Sequence, residues 1–183
     1  MTDGQVPTRT ELLEALRASG EEVIETVRAL PPERLEEGRY ENGWNGRQIL
    51  AHVASIEWTY PRLIDIARAA STAGSASSPA PSPDEVPTRA MRGGNDAYND
   101  RQVAKRAGMS AGDLLAEFER NRAATIRSVA EAEEELFGRQ IRSAGGVTGP
   151  LATVFYQVAV VHVLGHLRDL AGRGAPVSDD RAD

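Results

Sequence analysis

The chain has 183 residues, 40% hydrophobic and 26% charged, with a net charge of −6. That balance suits one globular domain with a full core, and the absence of a basic stripe argues against nucleic acid as a partner. With no cysteine, disulfides, thiolate ligands and a protein-borne thiol nucleophile are excluded, so any thiol chemistry must use a small-molecule thiol. The polar N-terminus is unlike a signal peptide and no segment reads as a membrane span, so the expected setting is the cytoplasm without a membrane partner.

Four segments read as long helices. The first runs from about Thr8 to Leu30, with Leu12, Leu13, Leu16, Val23, Ile24 and Val27 at helical spacing. Thr8 and Glu11 form a capping-box start, and Pro31-Pro32 stops the helix. The second starts near Asn45 with Ile49, Leu50, Val53 and Ile56 on one side, and Pro61 should kink it. Residues Ser71 to Pro87, rich in Ser, Ala, Gly and Pro, read as an exposed loop, and 95–106 as a short helix. The third long helix begins at Ser110, with Asp113 in the box position and Leu114, Leu115, Phe118, Ile126 and Val129 toward a core. The fourth begins after Gly149, with Pro150 at a favoured first-turn position, and ends at Gly172. No segment reads as a convincing strand. The expectation is an all-α four-helix bundle with one long crossover loop, occupying 1–173, followed by a frayed tail at 174–183.

All three histidines lie in two of these helices. His162 and His166 are four apart, one helical turn, and share a face. At about 100° per residue, Leu151, Phe155, Val158, His162 and His166 fall in one apolar stripe. His52 sits between Leu50 and Val53, beside the face carrying Ile49 and Ile56. One histidine on an apolar face is ordinarily a core residue satisfied by a carbonyl or hydroxyl. A pair at i and i+4 weakens that reading, because two adjacent polar rings would both need partners. The alternative is one metal ion held by His52, His162 and His166, with a coordination position left open for chemistry.

The segment Trp44-Asn-Gly-Arg-Gln-Ile-Leu-Ala-His-Val, the stretch Tyr98-Asn-Asp-Arg-Gln-Val, and the closing His162-Val-Leu-Gly-His-Leu-Arg-Asp-Leu resemble the DinB-like four-helix superfamily. More narrowly, the chain resembles the metal-binding N-terminal domain of mycothiol-dependent maleylpyruvate isomerases, from about Thr10 to Gly172. The resemblance implies a bundle with a divalent metal on His52, His162 and His166, and relatives that are mycothiol- or bacillithiol-dependent transferases and isomerases. In the isomerase a glutamate matches His162, so the all-histidine set looks more like the bacillithiol-transferase branch. The isomerase also has a C-terminal domain that this chain ends before, so maleylpyruvate is not carried over as substrate.

The expected function is therefore metal-dependent thiol transfer or isomerisation on small electrophiles. The alternatives are metal-dependent hydrolysis, and a non-catalytic protein that sequesters a ligand. Three neutral imidazoles suit Zn²⁺ first, with Ni²⁺ or Fe²⁺ also compatible, and leave the ion its full charge to acidify a bound thiol or water. The resemblance places Tyr98 and Asn99 near the cleft. Arg47, Arg101 and Arg122 are candidates to bind a carboxylate or a sugar-linked thiol. Asp169 is a candidate to orient His166 by accepting its other ring N–H. Glu57 reads as a surface group or one that supports a ligand from behind, and Trp44 and Trp58 as pocket or core. A homodimer is expected from apolar residues on more than one face of the first and third helices, including Ala15, Val27, Leu114 and Leu115.

Overall fold

The structure is a computed structural model that describes residues 6–37, 43–73 and 94–172. Helix α1 spans Arg9–Ala29, α2 Gly46–Glu57, α3 Pro61–Ala73, α4 Gly94–Ala104 and α5 Ala111–Glu131. The last helical rod is α6 (Leu151–Tyr156), a π turn (Gln157–Val161) and α7 (His162–Leu170). Three of these helices start where the sequence signals. Thr8 with Glu11, Asn45 with Gln48, and Ser110 with Asp113 each form a complete capping box, satisfying amides that the first turn leaves without helical partners.

The architecture is a four-helix bundle. Helix α5 packs on α1 and α2, while α7 packs on α2 and α1. One end of the core joins Leu12, Leu16, Tyr60, Ile64, Leu136, Leu151 and Phe155. The other joins Val23, Trp44, Ile49, Leu50, Phe118, Val163 and Leu167. Burying side chains such as Leu50, Phe118 and Phe155, each at 0% exposure, stabilises the fold by roughly 1.5–3 kcal/mol apiece before entropy is counted. Gly46 lets α2 approach closely. A Cβ there would lie 3.1 Å from the Arg34 carbonyl and Leu35 Cα, and 3.3 Å from Leu170 on α7.

Four features differ from the sequence reading. Pro61 does not kink a continuing helix. Helix α2 ends at Glu57, and Pro61 opens α3 as its first residue, where a missing N–H costs nothing. A small antiparallel hairpin, β1 (Gln140–Arg142) and β2 (Thr148–Pro150), pairs Gln140 with Pro150 and Arg142 with Thr148. Its three-residue strands are too short to show an alternating pattern in sequence. Leu151–Leu170 is long and apolar enough by composition to cross a membrane, although much of that surface lies in the core, including Val154, Phe155, Ala159, Val160, Val163 and Leu167.

The fourth difference bears on function. The single stripe predicted from Leu151 to His166 is broken by the π turn. Within it the His162 amide bonds to the Gln157 carbonyl, five residues back rather than four. The buried set shifts accordingly, from Leu151, Val154 and Phe155 to Ala159, Val160, Val163 and Leu167. His162 is left exposed at the edge of the core and His166 half-buried. The loop expected from Ser71 begins as the last turn of α3, and its remainder lies outside the described residues, as does the tail at 174–183.

Candidate metal centre

Helix α2 is buried along nearly its whole length, from Ile49 to Glu57, so His52 is carried into the interior at 3% exposure. Trp44, just before the helix, covers it with ring centroids 5.1 Å apart. Helix α7 presents His162 and His166 to the same point. Their Nε2 atoms are 3.0 Å apart, and the His52 ring lies 5.7 and 5.0 Å from the two imidazoles, nearly perpendicular to both. One ligand atom from each of the three falls within 4.8 Å of the others. Two nitrogens 3.0 Å apart match adjacent ligands on one ion bound at about 2.0–2.1 Å.

Electrostatics prepare the rings for a cation. Burial, and then the neighbouring imidazoles, hold His52 down to about 3. Burial and then His162 hold His166 down to about 4. His162 is also lowered, by desolvation of the protein-facing part of its ring, against a hydrogen bond to the Val158 backbone that pulls the other way. All three are therefore neutral near pH 7, the state a metal requires. His52 Nδ1 is buried without a hydrogen-bond partner, so the explanation that each histidine is satisfied by a carbonyl or hydroxyl fails for it. The donor set fits a divalent ion. Among the described residues no carboxylate joins the three imidazoles, and the exposure of His162 leaves one side accessible.

Asp169 approaches His166, but Oδ2 stands 3.9 Å from Nδ1, beyond hydrogen-bond reach. Asn99 lines a cleft of about 120 Å³ with Trp44, Asp96 and Asp100, so Trp44 joins this cleft to His52. Tyr98 is half-buried on the same helix, and Arg101 is exposed. Arg47 is held elsewhere. Its guanidinium pairs with Glu36 and donates to the Met109 carbonyl at 3.0 Å. Trp58 is 40% exposed and lies under the Arg62 guanidinium, 4.4 Å from its ring centroid.

Glu57 and Arg122 require correction. Glu57 is fully buried rather than at the surface, and Arg122 is 4% exposed rather than turned to a ligand. Arg122 Nε lies 2.9 Å from Glu57 Oε1. The guanidinium also donates to the Glu57 carboxylate through Oε2, to the Leu16 and Ala159 carbonyl oxygens and to Ser19 Oγ. A signal was present in the sequence. Phe118, Arg122, Thr125 and Val129 follow helical spacing on α5, which puts a charge on an apolar stripe, where it must be paired. Tyr60 was not anticipated. It is 5% exposed and its hydroxyl donates to the Val158 carbonyl at 2.6 Å.

Comparison with known proteins agrees with the geometry. Residues 16–171 match the family described as the mycothiol maleylpyruvate isomerase N-terminal domain. No curated protein matches the chain by sequence. Among solved structures, the mycothiol-dependent maleylpyruvate isomerase superposes with a TM-score of 0.65 at 17% identity, over 93% of this chain and 62% of that one. The chain thus spans less than two thirds of that isomerase. YfiT from Bacillus subtilis, described as a probable metal-dependent hydrolase with an unusual four-helix bundle topology, gives a TM-score of 0.64 at 13% identity, covering 94% and 92% of the two chains. An uncharacterised protein from Escherichia coli UTI89 gives 0.58 at 17%, covering 92% and 95%. At these identities the superpositions speak for the fold alone, whereas the family match covers most of the sequence. The chain belongs to the family of the mycothiol maleylpyruvate isomerase N-terminal domain.

Proposed function

We propose that His52, His162 and His166 hold one divalent metal ion, and that the protein uses it to act on small electrophiles with a low-molecular-weight thiol, mycothiol or bacillithiol, as cosubstrate. The observation that carries this is the convergence of three neutral imidazoles with ligand atoms within 4.8 Å of one another, one of them open to solvent. An ion bound there supplies Lewis acidity, lowering the pKa of a thiol or water at its open side.

The chain's own residues do the rest. Burial of His52 under Trp44 removes water from one side of the site and fixes the imidazole's direction. His162 is exposed and keeps the site accessible to solvent. With no cysteine in the chain, the nucleophilic sulfur must come from the cosubstrate, and the Trp44–Asn99 cleft is the adjacent space for its polar remainder. Tyr98 and Arg101, on the same helix as Asn99, are the remaining candidates to touch it. Zinc is the leading metal, with nickel and iron compatible with the same donors.

A second reading, metal-activated water and hydrolysis, draws support from the description of YfiT as a probable metal-dependent hydrolase. One assay separates the two. Metal-loaded protein is offered electrophiles with mycothiol, bacillithiol, glutathione or no thiol. Conjugation with mycothiol or bacillithiol, absent in His52→Ala and after chelation, is the expected result. Turnover that proceeds equally without thiol would favour hydrolysis, and no metal-dependent turnover with any thiol would remove the transferase reading.

A further inference from the structure

The π turn that precedes His162 leaves backbone carbonyls to be satisfied, and two side chains from elsewhere in the bundle take them. Because the His162 amide bonds to Gln157, the Val158 carbonyl loses the donor that a regular helix would give it. The Tyr60 hydroxyl supplies a replacement at 2.6 Å. One residue on, the Ala159 carbonyl accepts from Arg122 Nη2 at 2.9 Å.

Both donors tie this turn to the helix that carries His52. Tyr60 follows α2 directly, and Arg122 is paired with Glu57, the last residue of α2. Arg122 further donates to the Leu16 carbonyl at 3.0 Å and to Ser19 Oγ at 2.9 Å, so one guanidinium joins α1, α2, α5 and the π turn. Gly20 makes room for it, since a Cβ there would lie 3.2 Å from Arg122 Cγ. A π turn shifts every later residue of its helix relative to the earlier ones, which makes it the element that decides where His162 and His166 point.

We propose that Tyr60 and Arg122 are positioning residues for the metal centre, which lock the π turn and thereby set the imidazole of His162 against that of His52. The proposal rests on the metal reading above, but it also concerns the metal-free protein. Neither residue touches the ion or a substrate; each acts through the Val158 and Ala159 carbonyls. Groups hydrogen-bonded directly to a ligating histidine typically change metal affinity about 10–100-fold when lost; Tyr60 and Arg122 act one carbonyl further out, so the lower end of that range is their ceiling.

Tyr60→Phe removes only the hydroxyl. For Arg122, simple truncation would strand a buried carboxylate, so Glu57→Leu/Arg122→Met replaces the pair together. Each variant is compared with the unaltered full chain in two measurements: Co²⁺ titration against a competing chelator with the visible ligand-field spectrum recorded, and ring-nitrogen NMR of the three histidines without metal. The expected result is a loss of Co²⁺ affinity of up to about 10-fold with an altered spectrum, and a moved His162 ring signal in the apo protein. Folded variants with unaltered affinity, spectrum and His162 signal would overturn the proposal. If the unaltered chain binds no Co²⁺ while the His162 signal still moves in Tyr60→Phe, the positioning stands and the metal reading fails. If the variants bind Co²⁺ with unaltered affinity and spectrum and the His162 signal stays in place, the metal reading stands and the positioning fails.

Discussion

At the scale of single residues, the three imidazoles are unequal, and the inequality is testable. His52 is the most enclosed and has no partner for Nδ1. His52→Ala should therefore remove most of the bound metal. Partners that merely orient a ligand are worth about 10–100-fold in affinity, so losing a ligand should cost at least that much. Metal analysis of protein purified without a nickel column checks this, and stoichiometric metal in His162→Ala/His166→Ala would place the site elsewhere. The depressed pKa values have their own consequence. In the unfolded chain these histidines titrate near 6.5, whereas in the folded chain His166 falls to about 4 and His52 to about 3. Below 6.5 the unfolded state binds more protons, so this part of the stability is complete above pH 6.5 and is lost as the pH falls toward 4 and 3. Urea unfolding of the metal-free protein should show a midpoint that declines through this window. A His52→Ala/His166→Ala variant should show a smaller decline.

At the scale of elements, the helix starts were legible because each is written in a few adjacent residues. Asn45 accepts from the Gln48 amide while the Gln48 side chain accepts from the Asn45 amide. Asn45→Ala should cost about 0.5–2 kcal/mol, seen as a lower denaturant midpoint with an unchanged slope. Because the cap sits seven residues before His52, metal stoichiometry should persist. The π turn was not legible. Gln157-Val-Ala-Val-Val161 carries no proline or glycine to mark it, and the side chains that donate to its carbonyls, Tyr60 and Arg122, lie far away in sequence. The hairpin of Ile141 and its neighbours was missed for the same kind of reason, since Leu151 and Ala152 reach back to the Arg139 and Phe137 carbonyls to anchor it.

At the scale of the whole molecule, the core is large enough to hold the bundle without metal, unlike a zinc finger. Chelated protein should keep its helical circular dichroism. Saturating metal should then raise stability by about 2.7 kcal/mol at a hundred times Kd, a shift of roughly 2–4 °C in Tm for each kcal/mol. Complete unfolding on chelation would make the metal structural. For assembly, the residues that suggested a homodimer do not provide the surface. Val27, Leu114 and Leu115 are buried within the chain at 7%, 0% and 7% exposure, and Ala15 packs against its core. Light scattering at micromolar concentration measures the oligomeric state directly.

The sequence by itself determined the bundle, because helical periodicity, capping boxes and helix-stopping residues are local properties that act within a few turns. It also limited the candidate donor set, since a chain with three histidines and no cysteine has few ways to bind a soft or borderline ion. Only tertiary structure decided how those donors meet. After the π turn His162 lies at the accessible edge of the core rather than within the apolar stripe that spacing predicts, and Arg122 is turned inward onto Glu57 instead of outward to a ligand. Each outcome depends on which carbonyl or carboxylate lies opposite in the packed bundle, and that is a property of contacts between helices rather than of spacing within one.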